Sequence, residues 1–161
     1  MLFRSTGALA HAMLGLDHRR APDIGLVLAS DDAVNAHGLT GASQQDSAYP
    51  VGGGLHGGLH RKELHNWLAV GGSVFAGGRV VECPSGIVDV LPTVLHLLGI
   101  AAPESVEGRV LHEAFDDGPS SPHALRETVA VDGADGYRAH LEVSRVGDTR
   151  YLERAWVERS G

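Results

Sequence analysis

The sequence predicts an α/β fold followed by an antiparallel β-hairpin. Before residue 116, short apolar runs alternate with one clear amphipathic helix and with glycine-rich loops, a pattern typical of α/β layers. Near the other end, two extended stretches are joined by Gly147-Asp148, which suits a tight hairpin turn. The run 116–122 between these regions combines acidic residues with proline, serine and glycine, as linkers do. We therefore expect two parts, 1–115 and 116–161.

The first expected elements are a short helix and a buried strand. Residues 9–14 predict the helix, and Gly15 is a suitable residue to end it. The short apolar run 23–29, bounded by a proline and by two aspartates, predicts the strand. Residues 35–58 are polar and glycine-rich with no periodicity. Loops of that length are usually functional or disordered, so this segment is the first indication of a site.

The middle of the chain predicts further strands and the clearest helix. Residues 60–66 predict one or two turns of helix, and the runs 67–70 and 79–82 predict a second and a third strand. Asp89 is the expected N-cap of the clear helix, with a proline in its first turn. Gly99 is its expected end. An apolar face repeats at spacings of three and four: Leu91, Val94, Leu95 and Leu98.

Beyond the linker, the sequence favours an antiparallel sheet. Residues 137–146 and 151–157 predict the two hairpin strands, and residues 128–131 predict a third. This portion carries no pattern that points to chemistry, so we expect it to be structural.

Charge and cysteine content exclude several classes of protein. The formal net charge is -7 and no basic stripe is present, so we expect no nucleic-acid-binding patch. The single cysteine, Cys83, excludes an internal disulfide and favours a reducing, cytoplasmic location. Its apolar neighbours predict a buried thiol rather than a reactive one. No apolar run is long enough for a membrane span, and charge comes after the apolar run 8–16 instead of preceding it, the reverse of a secretory signal.

Histidine is the residue type most suggestive of a site, with ten in the chain. His56 lies in the glycine-rich segment 52–64, where glycines on both sides let the backbone approach an ion and leave the imidazole uncrowded. His60 would share a helical face with it only if the helix began at His56, which the glycines oppose. Spacing alone therefore makes His56 a modest candidate for a metal ligand. The more scattered histidines are expected to be solvated or structural, and their scatter also argues against a metal-storage role: His18, His37, His96, His112, His123 and His140.

A resemblance strengthens this candidate. The run 49–68, with Val51-Gly-Gly-Gly-Leu-His-Gly-Gly-Leu-His60, resembles the last metal-ligand motif of type I phosphodiesterases and nucleotide pyrophosphatases, which belong to the alkaline phosphatase superfamily. In that family a His-Gly pair comes after a loop and precedes a short helix and a strand that ends in glycine. His56-Gly57, 60–66 and 67–71 match this order.

The resemblance continues towards residue 115. The family next shows an acidic residue before a Pro-Thr pair that opens a helix ending in Leu-Gly, and residues 89–99 match this pattern. After that helix the family shows a proline and a Gly-Arg pair with a leucine, which Pro103, Gly108-Arg109 and Leu111 match. Residues 18–23 resemble the segment that precedes the His-Gly loop. The resemblance thus covers roughly residues 15–115, and its strength lies in the order of the series.

The resemblance implies a fold, a cofactor and a substrate class. Residues 1–115 would form the C-terminal part of a three-layer α/β/α domain of the alkaline phosphatase type, with 116–161 as linker and hairpin appendage. The complete family site holds two zinc ions and acts on a phosphate ester or nucleotide-type substrate. The resemblance makes His56 the last zinc ligand.

The rest of the family site has no match in the sequence. The Thr or Ser nucleophile and the Asp-His-Gly ligand motif are not found, so no catalytic residue is assigned. Asp31 and Asp32 come after a predicted strand as the Asp-His-Gly motif does, but the histidine is missing. We expect a portion of a hydrolase that is inactive alone and has its N-terminal half elsewhere. The alternative is a non-catalytic module that forms homo-oligomers.

Overall fold

The computed structural model describes residues 6–44, 48, 50, 56–120 and 122–160. The chain divides into two compact units. The first unit comprises residues 1–66, 128–142 and 152–161, and the second comprises 67–127 and 143–151. Helix and strand are mixed, and an antiparallel sheet lies near the C-terminal end. The prediction of mixed helix and strand with an antiparallel sheet near the C-terminal end is therefore confirmed.

The first unit contains a short antiparallel ribbon and two short helices. A 3-10 helix, His11–Leu14, ends at Gly15, whose φ of 69° is in the left-handed region. Strand β1, Ser30–Val34, pairs with β2, Thr40–Ser43. Helix α1, Arg61–Leu64, is capped by the His60 side chain, which accepts a hydrogen bond from the Lys62 N–H. The sequence predicted neither β1 nor β2, because their residues are mostly small or polar and lack the apolar alternation of a half-buried strand.

The second unit is built around the predicted helix. A 3-10 helix, Ile87–Asp89, leads directly into α2, Val90–Leu97. Gly99 ends the helix as predicted, with a φ of 66°. The N–H of Ile100 donates to the carbonyl of Leu95 at 2.9 Å, which closes the helix end in a Schellman arrangement. A third 3-10 helix spans His112–Ala114.

The C-terminal sheet has three strands in the order β3-β4-β5. They are β3, Ala124–Asp132, β4, Tyr137–Val146, and β5, Thr149–Arg159. Gly147, with a φ of 58°, occupies the predicted turn. Strand β4 alternates buried and part-exposed positions and supplies most of the buried apolar residues: Ala139, Leu141, Val143 and Val146. The predicted hairpin and its third strand are confirmed, and both β3 and β5 are longer than expected.

Three predicted strands are wrong. The runs 23–29, 67–70 and 79–82 carry no strand ladder in the described part of the chain, and all their residues except the half-buried Val81 are exposed. Leu26 is 88% exposed and Trp67 is 84% exposed. An apolar run becomes a buried strand only when neighbouring strands and covering layers enclose it. None of the described residues do so here.

The predicted apolar face of α2 is also wrong as a buried face. Leu91, Val94 and Leu98 are exposed, whereas Pro92 and Thr93 are buried. Asp89 occupies the N-cap position, but its side chain makes no capping bond to α2. The helix instead packs through its first turn. In the described residues, no helix is long and apolar enough to cross a membrane.

Candidate functional site

His56 is exposed to solvent and opens the described segment that comes after the glycine run. Gly57 has a φ of 99°, a conformation that glycine adopts without strain. Gly52, Gly53 and Gly54 of the same motif lie outside the described residues. Within the described part, no three or more histidine, cysteine, aspartate or glutamate side chains are grouped so that they could hold a metal ion. The structure thus leaves the His56 imidazole accessible.

The segment after His56 is fastened to its neighbours by one carboxylate. Glu63 on α1 accepts a hydrogen bond from the Gly58 N–H at 2.8 Å and another from the Ser43 hydroxyl at 2.8 Å. A Cβ atom at Gly58 would collide with the Glu63 carboxylate. The end of the flexible Glu63 side chain would have to shift to make room for it, and the bond to Glu63 fixes the backbone two residues after His56.

Asp31 and Asp32, whose place in the sequence resembles that of the family's Asp-His-Gly motif, have other partners. The Asp32 carboxylate accepts a hydrogen bond from Arg61 at 2.9 Å and lies 3.5 Å from Nε2 of His60. The hydrogen bond from Arg61 lowers the pKa of Asp32 below its ordinary value. Asp31 accepts a hydrogen bond from the Ala33 N–H at 2.9 Å, an Asx turn. In this structure both carboxylates serve local structure.

A second group of motif residues, around Asp89, is buried. The Asp89 side chain is fully enclosed, at 0% exposure. Its Oδ1 accepts a hydrogen bond from the Arg109 N–H at 2.8 Å. Its Oδ2 accepts one from the Gly86 N–H at 2.8 Å and one from the Tyr151 hydroxyl at 2.9 Å. Three donors therefore surround a buried carboxylate, as burial of a charged group requires.

Thr93 joins α2 to the segment that carries the Gly-Arg pair. Its hydroxyl donates to the Asp89 carbonyl at 2.7 Å and accepts from the Leu111 N–H at 3.0 Å. Gly108 packs so tightly that a Cβ atom there would collide with the Val88 carbonyl. One buried junction thus brings together Thr93, Gly108 and Leu111.

Arg109 completes this junction. Its guanidinium makes a bidentate ion pair with Glu113, at 2.9 and 2.6 Å, and donates to the Tyr151 hydroxyl at 2.9 Å and to the Pro84 carbonyl at 2.9 Å. Burial alone would lower the pKa of Arg109 and raise that of Glu113, but their hydrogen bond and opposite charges outweigh it. The pKa of Arg109 is raised and that of Glu113 is lowered. Burial, together with the hydrogen bond to Asp89, raises the pKa of Tyr151.

Two members of the junction were not found from the sequence. Glu113 lies four residues after Arg109, but this spacing indicates an ion pair only on a helix, and Arg109 lies on none. Tyr151 had no signal, because it lies on a hairpin that the sequence separates from α2 by a linker. Cys83 is half-buried, 3.6 Å from the Arg109 guanidinium, and burial raises the pKa of its thiol, which fits the predicted unreactive role.

Of the motif residues between 89 and 111, the acidic residue, the Pro-Thr pair, the Gly-Arg pair and Leu111 belong to this junction or adjoin it. When the chain is compared with family models, curated proteins and solved structures, none of them matches. The structural information on function therefore consists of two features. One is an accessible histidine in a glycine-rich segment. The other is the buried junction centred on Asp89 and Arg109.

Proposed function

We propose that this chain is the C-terminal portion of a zinc-dependent phosphoric-ester hydrolase of the phosphodiesterase and nucleotide pyrophosphatase type. His56 is the last zinc ligand of its site, and residues 1–115 belong to a three-layer α/β/α domain of the alkaline phosphatase type. The observation that carries this proposal is the junction of Asp89, Thr93, Arg109 and Leu111.

The junction supports the proposal because it relates positions that the resemblance orders but does not connect. Asp89 and Arg109 are separated by twenty positions, and Thr93 and Leu111 by eighteen. A chance match of short motifs would give no reason for these residues to share hydrogen bonds. The contacts of Asp89, Thr93 and Gly108-Arg109 together hold α2 against the next segment of the chain.

The exposed apolar runs give a second line of support. The runs 23–29 and 67–70 form no strands here, and both present apolar side chains to solvent. Leu26 and Trp67 are almost fully exposed here. Burying an apolar side chain of this kind is worth roughly 1.5–3 kcal/mol, so a partner that covers these runs would gain substantial binding energy.

The expected chemistry depends on the ligands that the chain can offer. A catalytic zinc needs about three protein ligands, and the described residues group no such set. His56 offers one accessible imidazole that can donate a nitrogen to an ion. Zinc bound at the complete site would supply positive charge to a phosphate ester, which a chain of net charge -7 does not supply itself. Under this proposal we expect the chain alone to be inactive.

Two experiments test this proposal. The purified chain should not hydrolyse bis(4-nitrophenyl) phosphate with or without added zinc. The complete enzyme, with the N-terminal half present in the same polypeptide or as a second chain, should lose one zinc ion and most of its activity on H56A. H37A, at another exposed histidine of the first unit, is the matched control and should change neither. Full zinc content and activity in H56A would contradict the role of His56.

The exposed apolar residues also favour a second candidate, a non-catalytic module that forms homo-oligomers. Exposed apolar surface of this kind marks an interaction site or causes association. Light scattering of the purified chain decides this point. A clean monomer at all accessible concentrations would contradict the oligomeric module, whereas a defined oligomer without bound zinc would favour it over the hydrolase.

A further inference from the structure

Two histidines of the second unit lie side by side. His96 is on the last turn of α2, and His112 opens the 3-10 helix that comes after the Gly-Arg segment. Their ring centroids are 5.0 Å apart and their planes are inclined by 81°. Both residues are partly or largely accessible to solvent. The sequence gives no hint of this pair, because the two residues are sixteen positions apart.

The surroundings hold both rings in place. The buried Phe115 ring packs against His96 at 5.6 Å and against His112 at 6.0 Å between centroids. The hydrogen bond between Thr93 and Leu111, at 3.0 Å, ties the helix of one histidine to the residue directly before the other. The pair therefore sits on two elements that are already fixed relative to each other, which limits the entropy lost when a ligand binds.

We propose that His96 and His112 form a clamp for a divalent transition-metal ion of the copper, nickel or zinc class. For two imidazoles on one ion at about 2.0–2.1 Å from each nitrogen and a tetrahedral angle, the ring centroids lie roughly 5.2 Å apart. The observed 5.0 Å agrees with this spacing. The near-perpendicular planes let both rings approach one ion without overlapping. Imidazole nitrogen suits these metals, with copper bound most tightly.

The clamp is a two-donor site that remains open to water. In the described part of the chain no third histidine, cysteine, aspartate or glutamate completes a group around it. Water fills the remaining positions, so exchange should be easy and affinity modest. The clamp does not depend on the proposed hydrolase function, because it uses neither His56 nor a phosphate-ester substrate. The competing explanation is that the two rings and Phe115 form an aromatic cluster and nothing more.

Copper-induced line broadening locates the site directly. Substoichiometric CuCl₂ added to the ¹⁵N-labelled chain should broaden the amide signals around residues 96 and 112 before those around the other histidines. Lowering the pH until the imidazoles are protonated should restore the signals, because a protonated imidazole cannot bind metal. Broadening spread evenly over all histidines, or absent at 96 and 112, would show an aromatic cluster only and overturn the proposal.

Zinc competition titrations with a chromogenic chelator give the second readout. H96A and H112A should each weaken the tightest zinc binding by at least tenfold, which corresponds to about 1.4 kcal/mol. The double variant should be no weaker than either single variant, since one histidine alone does not form the clamp. H37A, at an exposed histidine outside the pair and outside the proposed hydrolase site, should leave this binding unchanged. Unchanged zinc affinity in both single variants would overturn the proposal.

Discussion

Asp89→Ala tests the junction most severely, because it removes the one acceptor that three donors share. The Gly86 N–H, the Arg109 N–H and the Tyr151 hydroxyl all lose their partner, at sites that are buried or partly buried. An unsatisfied buried donor costs about 1–3 kcal/mol, and a water molecule in the new space will satisfy part of this demand. We expect a loss of about 3–5 kcal/mol in the free energy of unfolding, because several buried or partly buried donors lose their acceptor at once.

Asp89→Asn separates the charge from the shape of this side chain. The amide keeps one acceptor oxygen, which can still serve two donors if it takes the place of Oδ2. Its NH₂ group then faces the Arg109 N–H, donor against donor. We expect a loss of about 1.5–3 kcal/mol, smaller than for alanine, because most of the packing and part of the bonding survive. Asp117→Asn, at an exposed aspartate of the same unit, should stay within about 0.5 kcal/mol of the native chain.

Urea unfolding monitored by circular dichroism measures these differences, with the dependence on urea checked for a constant slope. The required order of stability is native, then Asn, then Ala. If Asp89→Ala loses less than about 1 kcal/mol, the carboxylate does not organise the junction. The structural support for the motif series would then be lost.

Three further predictions concern the same junction. Gly108→Ala should lower the free energy of unfolding by about 1–3 kcal/mol, because its Cβ would collide with the backbone carbonyl of Val88. Gly77→Ala, at a position with open space around it, should be nearly neutral in urea unfolding. Equal effects of the two variants would contradict the packing at Gly108. Because the pKa of Glu113 is lowered, its ion pair stabilises the fold above pH 4.5, the ordinary value, and this stabilisation is lost as the pH falls through the folded pKa. Stability should therefore fall less steeply with acid in Glu113→Gln than in the native chain. Identical acid unfolding profiles would count against the ion pair. Because the pKa of Tyr151 is raised, its contribution to stability is fully present below pH 10 and is lost as the pH rises further, through the folded pKa. Tyr151→Phe should therefore remove part of the loss of urea stability at alkaline pH. An unaltered loss would contradict the burial of this hydroxyl.

Local signals in the sequence predicted the elements that are held by local chemistry. Gly99 and Gly147 adopt the left-handed conformations that their positions required, so the end of α2 and the turn between β4 and β5 were predictable. Proline in the first turn and the regular spacing of apolar residues were sufficient to place α2. These features depend on a few neighbouring residues and not on the rest of the fold.

The errors come from properties that depend on partners. The runs around Leu26 and Trp67 have the composition of buried strands, but burial requires neighbouring strands that the described residues do not provide. Leu91 and Val94 of α2 are exposed for the same reason.

The candidate sites also combine residues that local sequence signals identified with residues that only tertiary contacts bring together. His56 was identified from its glycines and from a resemblance, and the structure adds that its imidazole is accessible. The roles of Asp89 and Tyr151 in one junction, and the approach of His96 to His112, arise from tertiary contacts between distant positions. No spacing rule in a single sequence encodes such contacts.

The most direct measurement is the zinc content of the complete enzyme to which this chain is proposed to belong, compared between the native form and H56A. We expect two zinc ions per native site and one in H56A, with the H37A control retaining two. Two ions retained in H56A, or no zinc in the native enzyme, would contradict the claim that His56 is the last ligand of a zinc-dependent hydrolase.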